Sequence, residues 1–172
     1  MILSDSNVLA SFAAADQLLI LWRLFNVATI WIPPGVEAEI EHGVARGRTH
    51  LAAIQPLLDS GNLQVLTLTS EDHERMATFP ASLGIGEREA IAFCIRTRAR
   101  LLCNDRRAAS FCREQGVQYH DLITILRHLW TKGILSRAEV RALMTDMERV
   151  EHHVFKDPQI IFAPSSHPRH KQ

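Results

Sequence analysis

The sequence predicts an α/β fold with a central parallel sheet of four to five strands and helices on both of its faces. Two observations carry that prediction. Short apolar runs rich in β-branched residues recur along the chain, and each is followed by a longer stretch whose apolar residues return at helical spacing. Breaks at Pro33-Pro34, Ser60-Gly61-Asn62 and Gly116 separate the runs. At 172 residues the chain has the length of one domain able to bury a continuous core.

Residues 1–4 read as a strand ending at Asp5, and Val8, Leu9 and Phe12 mark the helix that follows. A second helix spans 18–25, and residues 28–32 form a buried strand stopped by the two prolines. Pro34 opens a short acidic helix over 35–43, followed by another helix over 46–58. Residues 63–68 alternate as a strand does, and 70–80 read as a polar connection. A buried helix covers 87–98, with Ala90, Ile91, Phe93 and Cys94 on its apolar side, and a strand covers 101–103. The helix over 106–115 is closed by Gly116, and 117–119 add a last short strand. Helices over 122–132 and 136–150 complete the domain, the second opened by Ser136 and Glu139 at capping-box spacing. The domain is expected over 1–150. The tail over 151–172 is expected to fray or dock loosely from Pro158, where Pro, Ser, His and Lys accumulate.

Lysines plus arginines equal aspartates plus glutamates at 19 each, so no global basic field points to nucleic acid or to a membrane surface. Three cysteines in apolar surroundings, without CxxC spacing, fit the reducing cytoplasm better than a disulfide framework. The start lacks signal-peptide character, and the apolar run over 18–25 is interrupted by Arg23 and too short to span a bilayer. No G-x-G-x-x-G or Walker-type loop follows a strand, which weighs against a nucleotide-binding domain.

Ligands of parallel α/β sheets bind beyond the carboxyl ends of the strands, so acids just after a strand carry most weight. Asp5 and Asp105 both stand there, and both equally suit the role of helix N-cap. Glu39 and Glu87 lie near the starts of helices that face the same edge. Four carboxylates gathered there would repel and raise one another's pKa values unless a cation sat among them. A hard divalent ion, Mg²⁺ or Mn²⁺, suits such an all-oxygen site. Glu37, Glu41 and Glu89 are neighbours that fit a solvated acidic face equally well.

Asp5-Ser6-Asn7-Val8-Leu9 resembles the D-[ST]-[NS]-x-L opening of PIN domains. Residues 32–40, Ile-Pro-Pro-Gly-Val-Glu-Ala-Glu-Ile, resemble the family's V-P-x-x-V-x-x-E-[IL] segment and select Glu39 as the second acid. Gly84-Ile85-Gly86-Glu87-Arg88-Glu89-Ala90 is similar to a helix start of a prokaryotic PIN subgroup, and 101–108 to its strand-then-D-R segment, ending at Asp105. The likeness runs in order from residue 1 to about Met147. Two departures stand out. Asn104 occupies a position where that subgroup commonly has a further acid, and His120-Asp121 replace a small Gly-Thr pair.

The resemblance implies a three-layer αβα PIN-like fold that hydrolyses RNA with divalent metal, Asp5, Glu39 and Asp105 anchoring the ion and Glu87 holding a metal-bound water or a second ion. Ser6, Asn7 and Asn104 would support the site. Asp121 is read first as a helix cap and second as an auxiliary acid, and His120 as a structural or surface residue and not a ligand. Arg106 and Arg107 would meet substrate phosphates, while Arg46 and Arg48 read equally as solvated arginines. His152, His153, His167 and His170 lack zinc spacing. The resemblance further implies the toxin half of a toxin-antitoxin pair, a homodimer inhibited by a small antitoxin partner that inserts into the acidic groove. Leu126, Leu129, Trp130, Leu143 and Met147 offer either a dimer face or ordinary core. A competing expectation is a binding or adaptor module that keeps the fold without turnover.

Overall fold

The computed structural model describes residues 1–151 and 154–163. Five parallel strands form one sheet in the order β3-β2-β1-β4-β5, comprising β1 Ile2–Ser4, β2 Ile30–Ile32, β3 Leu63–Val65, β4 Arg100–Leu102 and β5 Tyr119–His120. The order reverses beside β1, which pairs with β2 on one side and β4 on the other. That reversal opens a crevice at the carboxyl edge.

Alternation along the strands sorts the core into two layers. Ile2 and Leu102 face one cluster, while Leu3 and Leu101, their neighbours in the chain, face the other. The first layer is built by α1 Ser6–Ala14, α2 Ile20–Phe25, α8 Leu122–Thr131 and α9 Arg137–Glu151. The second is built by α5 Ser70–Met76, α6 Ile85–Thr97 and α7 Arg106–Glu114. Helix α3 Pro34–Ala45 packs against α6 and α1, and α4 Gln55–Asp59 against β3. The expected three-layer α/β architecture with a parallel sheet is present.

Three local expectations are corrected. The connection over 70–80 contains α5, because Thr69 and Asp72 cap it reciprocally and Asp72, fully buried, also receives Arg96 at 2.7 and 2.9 Å. The continuous helix expected over 46–58 is divided. Gly47 turns the chain at φ +88°, a 3₁₀ turn runs over Thr49–Ile54, and Pro56 opens α4. The tail also docks further than expected. Helix α10 Gln159–Phe162 buries Ile161 and Phe162, and Trp130 Nε1 donates to Ile161 O at 2.8 Å. Residues 164–172, with His167 and His170, and the pair His152-His153 lie outside the described residues.

Leu126, Leu129, Leu143 and Met147 are all buried in the chain's own core, with Trp130 packed against it, so they form no exposed face. No helix among the described residues is long and apolar enough to cross a membrane.

His120 packs between the rings of Phe25 and His128, at centroid distances of 5.6 and 5.3 Å, which is the structural of the two roles expected of it. Burial, with His128 and Arg100 nearby, pushes its pKa down to about 4. The folded chain therefore keeps His120 neutral where the unfolded chain, titrating near 6.5, takes up a proton. Stability from this group is complete above about pH 6.5 and is lost as pH falls through about 4. Urea midpoints measured across that range should fall less steeply for His120→Gln than for the wild type; parallel slopes would contradict the assignment.

Candidate nuclease site

Asp5 leaves β1 with its N–H donating to Leu102 O of β4 at 2.9 Å. Its Oδ1 accepts from Val8 N at 2.7 Å and caps α1, and its Oδ2 accepts from Asn104 N at 2.8 Å. One carboxylate therefore joins the ends of the two central strands, and Asn104 contributes through its backbone. The residue is 4% exposed. Burial pushes its pKa up to about 6 against the pull of the two amides and the Cys103 thiol, and the Glu87 charge adds to the rise.

Glu87 stands in the first turn of α6, where its Oε2 accepts from Gly84 N at 2.8 Å. Burial raises its pKa, as do the charges of Asp105 and Glu39, while the Gly84 amide and Arg107 oppose them. Glu39, exposed on α3, accepts from Ser6 Oγ at 2.5 Å. Asp105 caps α7 through Oδ1, which accepts from Arg107 N at 2.7 Å and Ala108 N at 3.0 Å. Asp5 and Asp105 thus both serve as N-caps, which leaves a further role open because each carboxylate oxygen has a second lone pair.

A cleft of about 450 Å³ brings together Ser6, Asn7, Glu39, Glu87 and Arg107, with Arg46, Arg48 and His42 on its walls. Asp105 opens onto an adjoining cleft of about 860 Å³ that also holds Asn104, Arg106 and Asp121. Asp121 caps α8 by accepting from Thr124 N at 2.8 Å. Arg48 is paired with Glu151 at 2.6 Å. Among the described residues, no group of three or more His, Cys, Asp or Glu side chains stands close enough together to hold a metal ion.

Two positioning features escaped the sequence reading. Glu89, grouped with a solvated acidic face, is 7% exposed, and its Oε2 accepts from Gly35 N at 2.6 Å. The signal was present in the spacing: residues two apart on a helix diverge by about 200°, so Glu87 and Glu89 cannot share a face. The second feature is the meeting of two glycines. A Cβ on Gly35 would lie 2.8 Å from Gly86 N, and one on Gly86 would lie 2.8 Å from Val36 Cγ2 and 3.2 Å from Glu39 Oε1. Only bare backbone lets α3 and α6 approach this closely, and that approach is what puts Glu39 and Glu87 in one cleft. Gly86→Ala should destabilise the fold by about 1–3 kcal/mol through overpacking. Glu89→Ala should cost a similar ~1–3 kcal/mol by leaving the Gly35 amide unpaired. Denaturant titration checks both, and unchanged midpoints would show that the helix starts are not held by these contacts.

A family model described as PIN domain matches residues 1–159. No curated protein matches the chain. The matched span contains the five strands, the first cleft, all but Ile160 of the second and all four acids. The chain belongs to the PIN-domain family.

Proposed function

We propose that the chain is a divalent-metal-dependent endoribonuclease acting at the edge formed by Asp5, Glu39, Glu87 and Asp105. The placement of Glu87 carries the reading: it lines the cleft with Glu39 and interacts electrostatically with Asp105, Glu39 and Asp5. PIN domains are in general nucleases, which supports hydrolysis of phosphodiester bonds. The charges of Asp105 and Glu39 act on Glu87, and that of Glu87 on Asp5, near the reversal of a parallel sheet, and a bound cation would relieve that repulsion.

The donor chemistry suits Mg²⁺ or Mn²⁺, since every candidate ligand is a carboxylate oxygen. The spacing is looser than a formed ion site. Glu39 and Glu87 are each held through one oxygen, by Ser6 and by Gly84. The other oxygen of each remains to turn inward. Asp5, Glu39 and Asp105 would hold the ion, which when bound supplies charge that offsets the phosphodiester's and lowers the pKa of water. Glu87, its proton affinity raised, takes the proton from the attacking water. Ser6 orients Glu39, Asn104 fixes Asp5 through its amide, and Arg106 and Arg107 receive substrate phosphates. By family likeness the biological setting is the toxin half of a toxin-antitoxin pair in the cytoplasm, working as a homodimer and restrained by a small antitoxin.

A second reading, a binding or adaptor module without turnover, is favoured by the loose spacing of the acids and by the uncharged Asn104. Incubation of a mixed RNA pool with Mg²⁺, Mn²⁺ or chelator separates the two. Cleavage should require metal, vanish in Asp5→Asn/Asp105→Asn, and fall about 100-fold or more in Glu87→Gln. Wild type and variants that are indistinguishable under every metal would put the binding module first.

A further inference from the structure

Arg106 and Arg107 are adjacent in the first turn of α7 yet line different clefts. Arg107 joins Arg46 in the cleft that holds Glu39 and Glu87. Arg106 joins Arg113 and Lys156 in the cleft that holds Asp105. The two clefts meet at the start of α7, where Arg107 Nε of the first lies 4.0 Å from Asp105 Oδ1 of the second. Each cleft thus holds both acids and cations, the second among apolar side chains such as Ile123 and Ile160, and the first turn of α7, which lines both, is the ridge between them.

Four of these five cations are also available, and the fifth, Arg107, has its Nε 4.0 Å from Asp105 Oδ1. Among the described residues, no carboxylate lies within the 4.0 Å ion-pair limit of Arg46, Arg106, Arg113 or Lys156, whereas Arg48 in the first cleft is taken by Glu151. Arg113 Nη1 donates to Tyr119 Oη at 2.9 Å, which fixes its guanidinium on the wall of the second cleft. Tyr119 itself adds a ring surface there, and cations interleaved with an aromatic characterise grooves that track single strands.

Resting on the nuclease reading above, we infer that a single-stranded polynucleotide crosses the ridge, with phosphates gripped on both sides of the bond to be cut. Arg46 and Arg107 hold one arm of the strand. Arg106, Arg113 and Lys156 hold the other. A substrate that needs only one arm would be a chain end; two cationic arms select an internal phosphodiester. Arg113 and Lys156 are positioning residues, remote from the reacting bond, and act through the phosphates they hold.

Binding of a single-stranded RNA of about twelve nucleotides, within the span one groove can cover, tests this by fluorescence anisotropy in chelator over a series of salt concentrations. Removing one phosphate-binding cation should lower the slope of log affinity against log salt by about 0.7. Arg46→Ala/Arg107→Ala and Arg113→Ala/Lys156→Ala should each reduce the slope by about 1.4 and weaken binding roughly fivefold or more, with unchanged melting temperatures. Arg113→Lys/Lys156→Arg should restore the slope, since it keeps both charges. If either alanine pair leaves the slope unchanged, the strand is held on one side only and the inference fails, even where metal-dependent cleavage persists. Reduced slopes in both pairs without any cleavage in Mg²⁺ would keep the two-armed track and remove the nuclease reading.

Discussion

Asp5 sits beneath the acidic edge with one oxygen on the Val8 amide and the other on the Asn104 amide. It fixes where β1 hands over to α1 and, through Asn104, where β4 turns toward α7. Asp105 follows Asn104 directly, so the position of one acid at the edge is set by the carboxylate of another. The arrangement has an electrostatic cost. Asp5 is almost wholly buried, with no cationic partner among the described residues, and its pKa is driven up to about 6. Hydrogen bonds from backbone amides offset part of the desolvation, and the remainder is the strain that a bound cation would relieve.

On the other side of the cleft the constraint is steric rather than electrostatic. Gly35 and Gly86 let the starts of α3 and α6 touch, and Glu89 binds the Gly35 amide across the contact. Of three acidic side chains at this junction, one is thereby consumed in holding the helices together and two, Glu39 and Glu87, are presented to the cleft. Neighbouring carboxylates of the same type thus divide into scaffold and site by the direction in which the helix turns them.

The strand-helix alternation was legible because each buried strand is a short apolar run with a hard stop, and each of the five appeared within a few residues of its expected place. The positions of Asp5 and Asp105 after strands were legible for the same reason. The α5 helix was not, because its cap pairs Thr69 with Asp72 instead of the usual Glu or Gln, and its stability rests on Arg96, 24 residues later in the chain. The docking of α10 was hidden by composition: polar residues around Pro158 mask the two apolar anchors, Ile161 and Phe162. Glu89 and the glycine contact depend on how two helices separated in sequence approach, which local pattern does not encode. The pairing of Arg106 and Arg107 with opposite clefts likewise follows from helix direction at α7 and not from residue type.

If the four acids form one site that a divalent ion completes, that ion should be visible by anomalous scattering from crystals soaked in Mn²⁺. A peak is expected at the carboxyl edge, contacted by carboxylate oxygens of Glu39 and Asp105, and it should weaken or disappear in Asp5→Asn/Asp105→Asn. Well-ordered crystals with no peak at the edge, or with manganese bound only elsewhere on the chain, would contradict a shared four-acid site.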